Sequence, residues 1–249
     1  MELDWTLPEG WSAGEPLYPV PQRLLIADLM NHIYEGDYAV LIPLTVPKMA
    51  QTGSTADIAL SAQWLACTDE ICVPESGDLA ISVPVGEGAF GDPRVMGWRA
   101  AIPPALDSEG RFQIVGETLR VAIPIPAALK LTEPHLFVGQ KELGDGLQPV
   151  YSAIQTFSRN GDTLFAEIPL SQLVLPEGSE FQFAAAPDAL TGILAYGDNE
   201  GVRFSAVRGE VEPDGVKIAG KDGPEVALDR LKGFLEQLEP LDRLLESAG

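Results

Sequence analysis

Two cysteines, Cys67 and Cys72, stand in the segment SAQWLACTDEICVPESG (residues 61–77), and they are the only cysteines in the chain of 249 residues. A thiol pair at this spacing admits three chemistries: a structural disulfide, half of a metal site, or a couple working by thiol–disulfide exchange. The residues between them, Thr68, Asp69, Glu70 and Ile71, have the length of a hairpin loop between two strand patterns, a geometry that could set the sulfurs opposite each other. Closing so short a loop restricts the unfolded chain by only roughly 2 kcal/mol. Spacing alone therefore leaves a local bridge, two free thiols and a redox couple all open.

The neighbouring residues narrow the chemistry without settling it. Asp69 and Glu70 place like charge beside any thiolate, so a strongly lowered thiol pKa is not expected; their plainer reading is as solvated loop acids. No C-x-x-C helix-start pattern is present, which argues against a thioredoxin fold. A zinc site would have to recruit His32 and His135, the only two histidines, and these have no paired spacing. There is no G-x-S-x-G elbow and no phosphate-cradling glycine loop, and no spacing singles out a carboxylate pair. No cofactor and no metal are expected. Trp5, Trp11, Trp64 and Trp98 read as core aromatics; Trp64, three residues before Cys67, should point to the opposite face of a strand.

The elements that must position the pair are strands. The chain holds 21 prolines and 25 glycines, which leave little room for long helices before residue 224. Apolar or alternating runs predict strands at 37–46, 56–67, 78–85, 118–125, 163–170, 180–187 and 201–207. Several carry a proline near their end, as in LAISVPV and LRVAIPIP, which marks strand ends or sheet edges. The glycine-rich stretch 85–97 is the best junction between two domains. The tail differs: Val226, Leu228, Leu231, Phe234, Leu235 and Leu238 share one helical face, with a break expected at Pro240.

Composition bounds the partners. The apolar fraction of 45% supports a folded core, and a net charge of −21 repels phosphate backbones and anionic lipids. Neither nucleic acid nor membrane insertion is expected of this chain. The start, MELDWTLPEGW, lacks the basic-then-apolar order of a secretory signal. Read literally it points to the cytoplasm; the other reading is a piece of a longer exported protein.

The words around the cysteines carry a resemblance. YEGDYAVLIPLTV followed by WLACTDEICVPESGDLAISVPV resembles the N-terminal periplasmic region of the DsbD/ScsB family of thiol:disulfide interchange proteins, and WTLPEGWSAGEPLYPVPQR is similar to the preceding segment of its ScsB-like branch. The segment 135–170 is similar to that branch's second β domain. The resemblance implies an all-β fold with two immunoglobulin-like antiparallel sandwiches: a DsbD-like domain at 1–88, a second sandwich at 89–210, and a linker with an amphipathic helical tail at 211–249. It implies that Cys67 and Cys72 are a redox couple in a periplasmic relay. Electrons would come from a transmembrane domain absent from this chain and pass to thioredoxin-fold partners. Cys72 is favoured as the attacking sulfur. By position, Met30, His32 or Tyr34 would take the role of the residue that shields the pair. The alternative is a two-domain binding or scaffold module with a local structural disulfide.

Overall fold

The computed structural model describes residues 1–26, 29–68, 71–86, 92–175, 182–197 and 199–221. The chain divides into two compact units, Met1–Ile102 and Pro103–Gly249. Both are built from strands, with one short helix among the described residues. The architecture is all-β and sandwich-like. The expected tail helix lies outside the described residues.

The first unit contains β1 (Glu2–Thr6), β2 (Ser12–Ala13), β3 (Gln22–Ile26), β4 (Leu29–Ile33), β5 (Leu44–Thr45), β6 (Thr55–Cys67), β7 (Cys72–Pro84) and α1 (Pro93–Ala101). Its main sheet has the order β1-β6-β7, while β2 pairs with β5 and β3 with β4. Side chains alternate across a strand, so register assigns each residue to a face. Leu3 and Trp5 join Ala56, Ile58, Leu60, Ala62 and Trp64, beside Leu79, Ile81 and Val83, on an apolar face. Ala56, Ile58 and Ala62 are buried there. The other face carries Glu2, Asp4, Asp57, Ser61, Gln63, Ser76, Asp78 and Ser82. Cys67 and Cys72 belong to this polar face.

Two sequence expectations change here. The run 37–46 contributes only β5 and a single bridge from Leu41 to Leu17, because Pro43 interrupts it and removes a backbone donor and Pro47 ends it. Helix α1 was missed. It begins in the 85–97 stretch with a signal that is legible in retrospect: Asp92 caps it by accepting from the Arg94 N–H, and Pro93 fills the first turn.

The second unit holds β8 (Gly110–Val115), β9 (Thr118–Pro124), β10 (His135–Val138), β11 (Leu147–Pro149), β12 (Thr156–Asn160), β13 (Thr163–Gln172), β14 (Ala189–Tyr196), β15 (Glu200–Arg208) and β16 (Val216–Ile218). They follow the order β10-β14-β15-β8-β9-β13-β12-β16, with β11 also on β13. All pairings are antiparallel except β15 with β8. Alternate residues of β9 and β13, among them Leu119, Val121, Ile123, Leu164, Ala166 and Ile168, face one core with Phe112, Leu136, Leu190 and Phe204. Pro169 of β13 still accepts from the Val150 N–H at 2.8 Å through its carbonyl, and its missing N–H falls on the side away from β9, where pairing passes from β12 to β11.

The run 180–187 is not a strand over its described part, 182–187. Its backbone is used otherwise: the Ala184 N–H donates to Glu142 Oε1 at 3.0 Å and its carbonyl accepts from the Asp145 N–H.

Leu164 is fully buried at the centre of this core. Leu164→Ala should lower the stability of the second unit by about 2–5 kcal/mol, read as a lower denaturant midpoint.

Candidate functional site

The site is the free end of the β6–β7 ribbon. The two strands run in unbroken register from Thr55 opposite Pro84 to Cys67 opposite Cys72. Antiparallel ladders alternate between hydrogen-bonded pairs and closer pairs without mutual bonds. At one end the Thr68 N–H donates to the Ile71 carbonyl at 2.8 Å, and at the other the Val85 N–H donates to the Ser54 carbonyl at 2.9 Å. Both bonds give the same phase, and it makes Cys67 and Cys72 a close pair whose N–H and C=O groups point away from each other. Their Cα atoms are 4.0 Å apart and the sulfurs are bonded at 2.03 Å. The hairpin expected from the spacing is present. The Thr68 hydroxyl oxygen also accepts from the Ile71 N–H at 3.2 Å, holding the strands together just beyond the sulfurs.

The tip stands clear of the rest of its sheet. Strand β1 pairs with β6 only as far as Gln63, so the last residues of β6 are paired with β7 alone. Leu65 shares the face of the disulfide and is 62% exposed, and Ile71 in the turn is 60% exposed. Leu65 and Pro74 opposite it set an apolar pair beside the disulfide on an otherwise polar face. The sequence held a signal for this, since Leu65 breaks the polar series Ser61, Gln63 two residues before Cys67. Strands β1, β6 and β7 contain no lysine or arginine. Asp69 and Glu70 lie outside the described residues.

Trp64 lies on the opposite face from Cys67, as its spacing predicted, but it is half-buried and not part of a core. Its indole N–H donates to Glu75 Oε2 at 3.0 Å, and its ring lies over Gly77, where an added Cβ would stand 3.3 Å from Cη2. Across the ribbon from the disulfide, the tip is thus braced by a cross-strand pair and a close ring contact.

The shield candidates lie on another hairpin. Met30 and His32 are on β4, which pairs with β3, and Tyr34 follows it. Tyr34 stacks between Tyr18 and Tyr38, with centroids at 6.1 and 4.5 Å, and its hydroxyl donates to the Pro19 carbonyl. Burial, and then the neighbouring Tyr18 and Tyr38, push its phenol well above the ordinary value. His32 sits opposite Arg23. Part of its side chain meets solvent, yet loss of hydration and then the Arg23 charge lower its pKa to about 4. His135 is in the second unit, buried with Phe137 at a centroid distance of 4.6 Å. The four residues a zinc site would need are therefore split, the two sulfurs bonded to each other and the histidines in separate units.

A half-buried disulfide at the end of a β ribbon has the geometry that thiol–disulfide exchange can use. Residues 1–84 match the family model described as the N-terminal domain of the thiol:disulfide interchange protein DsbD. The matched span contains both cysteines, and likeness and bonded pair together support an interchange domain over these residues. No curated protein and no solved structure matches the chain. Among the described residues no helix is long and apolar enough to cross a membrane.

Two outcomes follow from this geometry. Thr68→Val removes the side-chain acceptor of the Ile71 N–H, worth about 0.5–1 kcal/mol at an exposed site. It should lower the stability of the first unit by that amount, read as a lower denaturant midpoint, and leave the reduction potential nearly unchanged in glutathione equilibration, because the backbone bond closes the loop in both redox states. For His32, the folded pKa lies below the unfolded one, so between about 6.5 and about 4 the unfolded chain binds more protons and stability falls as pH falls. His32→Gln should flatten the stability profile of the first unit in that window, and an unchanged profile would contradict the neutral imidazole.

Proposed function

We propose that this chain is a thiol:disulfide oxidoreductase module that relays electrons through Cys67 and Cys72 to thioredoxin-fold partners in the periplasm. The observation that carries the reading is the bonded pair at an exposed ribbon tip, inside the span that matches the DsbD N-terminal model. In the reduced module one thiolate attacks a sulfur of the partner disulfide, forming a mixed disulfide and releasing the partner's other thiolate. The second cysteine then attacks its bonded neighbour, re-forming Cys67–Cys72 and releasing the partner as a dithiol. Two electrons pass to the partner, and a dithiol donor must return two to the module. A transmembrane donor domain outside this chain is the proposed source.

Cys72 is the proposed attacking sulfur, because it follows the exposed Ile71 and opens β7, which is an edge strand along its whole length among the described residues. The carboxylates of the turn are compatible with this direction of flow when the partner contributes the lower-pKa thiol, which is the better leaving group. Met30 and His32 are the better candidates for shielding the pair, since Tyr34 is already held in its stack with Tyr18 and Tyr38.

Single serine variants separate relay from scaffold. Cys67→Ser, which keeps the proposed attacking thiol, should trap a mixed disulfide with an oxidised thioredoxin-fold protein, visible on a non-reducing gel. Cys72→Ser should trap less. If neither variant traps a partner and the reduction potential lies far below about −300 mV, the cysteines are a structural bridge in a binding module.

A further inference from the structure

We infer that the outer edge of β7 is a strand-addition site for an extended segment of a partner protein, apolar at alternate positions and basic or neutral at the others. The inference begins with the ladder phase. The bonds at Thr68–Ile71 and Ser54–Val85 turn the N–H and C=O groups of the odd-numbered residues of β7 toward β6. The even-numbered residues therefore point theirs outward. Among the described residues β7 is the edge of its sheet. Pro74 and Pro84 fall on outward positions and have no N–H to offer. Between them Ser76, Asp78, Ala80 and Ser82 present a continuous row of backbone donors and acceptors, the template that an added strand needs.

A second observation lies beside that row. Leu79 and Ile81 are 62% and 61% exposed on the apolar face of the sheet, at its open margin. An added strand would cover them with every second side chain. Its intervening side chains would lie on the polar face, next to Asp78 and near Asp57, with no cation in β1, β6 or β7 to oppose them. That charge pattern selects basic or neutral residues. It also disfavours a second copy of this chain, which brings the same acids and a net charge of −21. Since Cys72 begins the same strand, a segment docked at 76–82 would carry its neighbouring residues toward the disulfide. Only this link to a redox partner rests on the interchange reading.

The test uses the oxidised full chain and a capped peptide of alternating valine and lysine, about seven residues long, with binding read by fluorescence anisotropy. A valine–glutamate peptide should bind about tenfold more weakly or worse, as should a valine–lysine peptide N-methylated along one backbone edge. Ala80→Pro removes only an outward N–H, as Pro74 and Pro84 already do, and should cause a comparable loss with the circular dichroism spectrum unchanged. The methylated peptide makes the same test on unaltered protein. Equal binding of the methylated or acidic peptide overturns the site, and so does a concentration-dependent dimer that Ala80→Pro abolishes. Failure of peptide binding with partner trapping intact removes the docking edge alone; peptide binding without trapping removes the relay alone.

Discussion

The phase of one antiparallel ladder decides most of what the first unit can do. Because Thr68 and Ile71 form a hydrogen-bonded pair, Cys67 and Cys72 must be a close one, and the sulfurs meet without distorting either strand. The same phase puts Trp64 and Glu75 across from each other on the far face. It also turns Pro74 and Pro84 outward, where a missing N–H breaks nothing. A shift of one residue would exchange the faces of β7 relative to β6 and move Cys72 to the side of Trp64. The register is protected against that shift by the apolar residues that pair along the ribbon, Ile58 with Ile81 and Leu60 with Leu79.

The two units are stabilised differently. The second places large side chains from nearly all its strands in one dry core, including Phe112, Leu119, Ile123, Leu136, Leu164 and Leu194. The first has only Ala56, Ile58 and Ala62 as buried apolar residues among those described. Its ribbon depends more on backbone pairing and on cross-strand contacts than on a filled interior. The disulfide sits where that pairing is thinnest, at a ribbon tip beyond the reach of β1.

Legibility in the sequence followed how much of the local physics was local. The runs 56–67, 118–125, 163–170 and 201–207 were readable because alternation and β-branched residues coincide with strands β6, β9, β13 and β15. The hairpin was readable from four residues between two such patterns. Strand β14 was hidden by Gly192, which looks like a breaker but is needed where an added Cβ would stand 2.2 Å from the Phe137 carbonyl oxygen. Strand β10 was hidden because its four residues are all buried, leaving no alternation. The cysteines announced themselves, whereas the apolar pair of Leu65 and Pro74 beside them depended on which face each side chain takes, a fact that only the register supplies.

The bond from Thr68 to Ile71 lies beyond the sulfurs, between them and the turn, so the backbone closes the loop independently of the disulfide. Opening the S–S bond removes one covalent link from a ring that backbone hydrogen bonds already hold shut. The two thiols then stay at high effective concentration to each other, and reoxidation needs no search through loop conformations. Opening and re-forming the bond at this tip is in that sense a local event with little conformational reorganisation, because backbone pairing alone closes the ladder on both sides of it.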